Sequence, residues 1–380
     1  MQDTSFAIVG GGPSGSFAAA ELARSGFSVT LFEPKGAWEK PCGGGVTTKA
    51  LERYAFLLDH PSWPSQTIDR IALVAPGGRR LEMALERPFR VYDRTRLNGL
   101  LLERAREAGA TVVAESVSRF ERADAGWRVT TRSGEYAAGV LVGADGAGSV
   151  VRRDLAGRFR PGDVALTVGY NAPPSPGRPL TTVDIEFPPR LTGYVWAFPR
   201  TDHVNFGVIN RLNERPAAEL KTLLHDFMER YYGGPIPESA EFYGAKVPML
   251  GHGSWREARA TGDGWALIGD AAGFVDPITG EGIYFAIRSA ELLASSFVEG
   301  SGLAGYERAW FEDFGEDLEV ASKYLDRFYR GRFLGAPVID RAVGLSARHA
   351  GFRRVMARAL GGEQSYLTLK RDLVINALRF

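Results

Sequence analysis

The chain carries one cysteine, and it stands in the hexapeptide KPCGGG, Lys40 to Gly45. A thiol of ordinary pKa about 8.5 can act as a proton donor or, ionised, as a nucleophile. Pro41, Cys42, Gly43 and Gly44 are the residues that would present it. Consecutive glycines cost backbone entropy but permit left-handed conformations and close approach of another group to the main chain. Two readings stand side by side: a Pro-Cys-Gly-Gly turn with an incidental cysteine, or a loop pressed against a flat ligand with the thiol aimed at it. A second group with chemistry in its spacing is Gly10-x-Gly12-Pro13-Ser14-Gly15, followed by the acid Glu33. Gly10 suits a tight turn, Gly12 lets the backbone reach a pyrophosphate, and Gly15 allows close packing of helix on strand. The helix N-terminus offers unpaired N–H groups to the phosphates, and Glu33 is placed to accept hydrogen bonds from ribose hydroxyls.

These residues need particular elements around them. Phe6 to Val9 reads as a short buried strand, SFAAAELARSG as a helix closing at Gly26, and FSVTLFE as a second strand ending in Glu33. A glycine motif alone is weak evidence; strand, glycines, helix, strand and acid in register are strong evidence for a dinucleotide site. Two later segments repeat the strand-then-turn arrangement. In VLVGADGAGSVVR the strand Val140 to Val142 precedes Asp145 and Gly146. In GWALIGDAAGFVDPITGEGIYFAIRSA the strand Trp265 to Ile268 precedes Asp270, then Pro277, Gly280, Gly282 and Ile283. VYDRTRLNGLLLERAREAGA reads as a helix with Arg94 near its start.

With these segments in this order, the chain resembles the FAD-dependent family of aromatic hydroxylases, flavin halogenases and geranylgeranyl reductases. The resemblance covers roughly residues 5 to 330 and implies that the dinucleotide is FAD. It places Asp270 on the ribityl chain, Pro277, Gly280, Gly282 and Ile283 at the flavin-facing loop, and Arg94 on the phosphates. Asp145 and Gly146 belong to the same implied site. YVWAFP, with Tyr194, Trp196, Phe198 and Pro199, resembles the Tyr-x-Trp-x-Phe-Pro signature of geranylgeranyl reductases, and KPCGGG resembles their Pro-Cys-Gly-Gly loop beside the flavin ring. Read from residues alone, YVWAFP is also three aromatics on one face of a core strand. A Gly-x-Gly often continues the reductase signature; here the place reads Gly207-Val208-Ile209, which puts the pocket shape in question.

The expected fold is α/β: a Rossmann-like FAD-binding domain (1–64, 93–159 and 258–322), an inserted antiparallel-sheet substrate domain (65–92 and 160–257) and a helical C-terminal region (323–380). The expected enzyme is an FAD-dependent oxidoreductase that reduces carbon–carbon double bonds of an isoprenoid or similar lipidic substrate. NADPH, NADH or another donor would be its reductant. Cys42 and Tyr194 are the candidate proton donors, and Trp196 and Phe198 would line the substrate tunnel. The alternative on the same scaffold is a monooxygenase or a halogenase. Halogenation is disfavoured because position 194 is Tyr, 198 is Phe, and no lysine lies between Lys49 and Lys221. A non-catalytic lipid-binding or flavin-binding protein is a third reading, opposed by the intact PITGEG loop.

Composition narrows the partners. The chain has 380 residues and a net charge of +1, so nothing global favours nucleic acid. One cysteine makes no internal disulfide, which fits a reducing compartment. The first residues lack a basic region and no run of 18 apolar residues occurs, so a cytoplasmic protein is expected. From Lys323 onward, however, 12 Lys/Arg face 4 Asp/Glu. That segment reads either as a basic solvated face packed back on an acidic body, or as a peripheral contact with an anionic membrane.

Overall fold

A computed structural model describes residues 2–58 and 63–378, with side chains to Ile375. The strand Gln2–Val9 is fully buried over its last four residues. It pairs in parallel with Val29–Phe32 on one side (Phe6 opposite Val29) and with Glu135–Gly143 on the other (Val9 opposite Gly143). Thr111–Val113 extends the sheet beyond Val29–Phe32, and Trp265–Leu267 extends it beyond the far half of Glu135–Gly143. Buried on both faces, the central strands, residues 6–9 and Val29–Phe32, have the continuous apolar character of a parallel sheet. The helix Pro13–Arg24 packs across it between helices Arg94–Glu107 and Ile283–Val298. Pro13 occupies its first position, where a missing N–H costs nothing.

The second layer is an eight-stranded sheet. Its order is Glu241–Pro248, Val164–Ala172, Val204–Arg211, Gly193–Pro199, Thr182–Glu186, Gln66–Val74, Arg80–Val91 and Gly45–Val46. All pairings are antiparallel except Thr182–Glu186 with Gln66–Val74. One face packs on the helix Ala217–Tyr232 through Phe206, Val208, Leu224 and Met228. The other carries Ile71, Phe89, Ile185, Trp196 and Ile209, and it faces the C-terminal helices through Leu325, Tyr329, Ile339 and Val343. Gly45–Val46 matters most for the site, because it hydrogen-bonds the end of the Cys42 loop to this sheet.

After residue 315 the chain is mostly helical, as expected: Glu316–Arg330, Val338–Arg348, Ala350–Leu360 and Tyr366–Leu378, with a short hairpin, Arg332–Phe333 paired with Ala336–Pro337, between the first two. The segment packs on the body, yet the body's carboxylates pair with few of its cations. Among the described residues, Arg330 with Glu214 is its only Lys/Arg paired to a carboxylate of the body.

Candidate functional site

One cleft runs between the two layers. Its parallel-sheet wall includes Gly12, Pro13, Ser14, Arg94, Gly146 and Asp270; its loops are 40–45 and 279–283; its far wall is the antiparallel sheet. The glycine turn is built as its spacing implies. Gly10 has φ +101°, and a Cβ there would lie 2.6 Å from the Ala144 carbonyl oxygen. A Cβ on Gly15 would lie 1.9 Å from the Gly10 oxygen, so this glycine lets the helix seat on the strand. At Gly12 a Cβ would meet no atom within 4 Å: the turn is open where a pyrophosphate would approach. Glu33 is buried, and its two oxygens accept the Gly11 and Lys35 N–H groups, each at 2.8 Å.

Arg94 is 2% exposed. One Nη donates to Asn98 Oδ1 at 3.2 Å, while its Nε has no partner. A buried guanidinium with a free N–H, lining a cleft beside a helix N-terminus, fits a phosphate ligand. Asp270 Oδ2 accepts from Lys40 Nζ at 2.8 Å across the cleft. This pairing brings together two segments 230 residues apart, and Lys40 is a cleft residue that sequence reasoning passed over. Five of the expected site residues do not line the cleft: Gly10, Gly15, Glu33, Asp145 and Pro277. Asp145 spends its carboxylate on Ser149 Oγ (2.5 Å) and the Val150 N–H (2.7 Å), fixing the turn that presents Gly146.

In the Cys42 loop the three glycines each have a separate reason. Gly44 has φ +82°, and a Cβ would stand 2.3 Å from the Tyr92 oxygen. Cβ atoms on Gly43 and Gly45 would approach the Phe198 ring at 3.3 and 3.2 Å. The glycines therefore make room for an aromatic of the antiparallel sheet, besides leaving one face of the loop to the cleft. Cys42 Sγ accepts the Gly44 N–H at 3.3 Å. Behind it, the fully buried Arg200 donates to the Cys42 carbonyl at 2.5 Å and to Glu39. Burial would raise the Glu39 carboxyl, but Arg200 outweighs it and holds the group below its ordinary value. Arg200 directly follows Pro199; a cation ending a buried aromatic strand was the available signal for this strut.

Tyr194, Trp196 and Phe198 all line the cleft. Trp196 Nε1 donates to Asn205 Oδ1 at 3.0 Å, and a Cβ on Gly207 would strike the indole at 2.2 Å. Ile209, opposite Tyr194 in the sheet, also projects into the cleft, so the departure from Gly-x-Gly puts a branched side chain there. The Tyr194 hydroxyl donates to the Thr279 carbonyl, and burial pushes its pKa well up. The loop 276–282 is gripped from several sides. Asp276, raised by burial, accepts the Ile278 and Thr279 N–H groups and the Tyr366 hydroxyl at 2.8 Å. Tyr329 donates to the Ile278 carbonyl at 2.5 Å. Glu281, also raised by burial, accepts from Thr47 at 2.6 Å and pairs with Lys49 at 3.3 Å. Leu360 and Gly362 complete the lining from the C-terminal region.

The chain is also similar to known proteins. Residues 3–170 match the family described as an FAD binding domain. A geranylgeranyl diphosphate reductase of Rhodobacter capsulatus is 30% identical over 339 residues, 85% of this chain and 83% of that protein. A digeranylgeranylglycerophospholipid reductase of Methanothermobacter thermautotrophicus is 31% identical over 344 residues, 83% and 86% of the two chains. The chain belongs to the geranylgeranyl reductase family. It is thus an FAD-dependent oxidoreductase. Among solved structures, a geranylgeranyl bacteriochlorophyll reductase-like protein from Thermoplasma acidophilum shares the fold at TM-score 0.81 and 21% identity, covering 99% of this chain and 100% of its own. A flavin-dependent brominase shares the fold at TM-score 0.73 and 15% identity, covering 98% and 99%.

Proposed function

We propose that this reductase-family member saturates carbon–carbon double bonds in an isoprenoid or similar lipidic chain, with electrons from NADPH, NADH or another donor. The observation that carries the reading is the lining of the cleft. Beyond Cys42 and the 279–283 loop, its sheet-side wall includes Ile71, Phe89, Val183, Ile185, Trp196 and Ile209, and Leu360 adds to it from the C-terminal region. Such a chamber takes an apolar chain and excludes the water that would compete for reducing equivalents.

Gly12, Arg94 and Asp270 would hold FAD at this cleft, where it would supply hydride chemistry. The protein must hold the alkene against it and deliver a proton to the other carbon, because an isolated alkene has no carbonyl to polarise. Cys42 suits proton delivery, because its sulfur accepts a backbone N–H and the S–H hydrogen is left directed elsewhere. Tyr194 suits it less, since its proton is committed to the Thr279 carbonyl and its acidity is lowered by burial. We assign Tyr194 to positioning the flavin-facing loop. The experiment is anaerobic turnover of a geranylgeranyl-type alkene by the reduced holoenzyme in deuterated water. Saturated product carrying one or two deuterons per bond reduced is expected, since the N–H that carries the flavin's hydride also exchanges with water; no saturation in the absence of oxygen, or a hydroxylated product once oxygen is admitted, would overturn the reading.

A chain of this kind is met at a membrane. Among the described residues no helix is long and apolar enough to cross one. Peripheral contact through the C-terminal region, whose cations stay largely unpaired, is the arrangement that fits.

A further inference from the structure

After the helix Glu316–Arg330 the chain forms a hairpin in which Arg332–Phe333 pairs with Ala336–Pro337. Its two turn residues, Leu334 and Gly335, have φ of +48° and +79°. A hairpin turn with both central residues left-handed favours Asn-Gly, because a side chain without a local hydrogen bond gains nothing from the crowding. Here leucine holds the first position and is 75% exposed, and Phe333 beside it is 49% exposed. Backbone and water both disfavour Leu334, and the surrounding fold does not bury it. A contact outside the chain is the remaining source of compensation.

The charges around the tip identify that contact. Arg341 donates to the Phe333 carbonyl at 3.2 Å and to the Leu334 carbonyl at 2.5 Å, and Arg332 donates to the Gly335 carbonyl. Among the described residues neither guanidinium meets a carboxylate. The tip therefore has apolar side chains, carbonyls already satisfied, and two uncompensated cations at its base. That combination matches hydrocarbon lying under a layer of phosphate. Seven of the ten exposed large apolar side chains among the described residues also fall after residue 323. We propose that residues 332–337 insert into an anionic bilayer, with Phe333 and Leu334 below the phosphates and Arg332 and Arg341 among them. The proposal rests on the reading above that the substrate is a membrane lipid.

The test is co-sedimentation of the FAD-loaded enzyme with phosphatidylcholine vesicles, with or without phosphatidylglycerol. Leu334→Asn suits the left-handed turn and removes only the apolar tip; Phe333→Ser is the second variant. Wild type should pellet with the anionic vesicles and be released by salt. Either variant should bind at least about tenfold more weakly, as expected for withdrawing a large apolar side chain from hydrocarbon, with flavin content unchanged. Equal binding of wild type and both variants overturns the proposal, as does no binding by wild type at low salt. A wild-type dimer that Leu334→Asn dissociates, without vesicle binding, overturns it in favour of self-association. Turnover of detergent-dispersed alkene reports separately on the functional reading: wild type and Leu334→Asn should match there, and failure of both would reject that reading while leaving the vesicle result intact.

Discussion

Cys42 is held by contacts on three sides: the Gly44 N–H on its sulfur, Arg200 on its carbonyl, and the Phe198 ring over its glycine neighbours. Such a thiol can be exchanged without disturbing its loop. Cys42→Ser should melt within about 1 kcal/mol of wild type, because the hydroxyl keeps the volume and can still accept the Gly44 N–H. It should retain FAD but turn over more slowly or change the product pattern, since a hydroxyl is a far weaker acid. Unaltered rate and products would reduce the thiol to packing. Gly44→Ala tests the loop itself: at φ +82° with the Tyr92 oxygen 2.3 Å from the added carbon, it should lose about 2 kcal/mol or more in a denaturant melt. Asp270→Ala should fold, leave Lys40 without its carboxylate, and lose FAD on gel filtration. FAD retained at wild-type stoichiometry would remove Asp270 from the cofactor site.

At the scale of elements, the cleft loop 276–282 depends on helices from the far end of the chain. Tyr329 and Tyr366 bond to Ile278 and Asp276. Tyr366→Phe removes one hydroxyl from a buried carboxylate and should cost about 1–3 kcal/mol. It should also speed FAD release on dilution, read as the rise in flavin fluorescence. Unchanged release would confine the C-terminal helices to roofing the lipid chamber. The same contacts explain what was legible beforehand. The glycine turn could be read because Gly10, Gly12, Gly15 and Glu33 fall within one strand-helix-strand unit. Tyr194, Trp196 and Phe198 could be placed because strand alternation puts them on one face. The Lys40–Asp270 pair and the Tyr366–Asp276 bond join segments 230 and 90 residues apart, and no local spacing encodes them. Asp145 stood at the expected position, yet its carboxylate caps a turn, because Ser149 and the Val150 N–H lie nearer to it than the cleft.

Across the whole molecule, one ion cluster ties three distant segments together around the cofactor layer. Glu291, on the helix Ile283–Val298, accepts from Arg53 at 2.8 Å and from the Tyr54 hydroxyl at 2.5 Å, and it pairs with Arg288 at 2.8 Å. Arg288 in turn donates to Asp313 at 2.9 Å. Burial alone would raise the Glu291 carboxyl, but Arg53, Tyr54 and Arg288 outweigh it and bring it down to about 2 from an ordinary 4.5. A carboxyl depressed in the folded state stabilises fully above its unfolded pKa and loses that contribution as pH falls through its folded one. Arg53 is 41% exposed, so solvent screening reduces the shift's worth to about 1–2 kcal/mol. Glu291→Gln should therefore be less stable than wild type by that amount at pH 7. The gap should persist down to about pH 5 and then narrow toward pH 3, as the wild-type contribution begins to drain away. Paired urea melts of the two proteins at pH 7, 5, 4 and 3 measure it. A gap that stays constant over that range would assign the loss to packing of the Gln side chain, and the three segments would then be joined by shape rather than by charge.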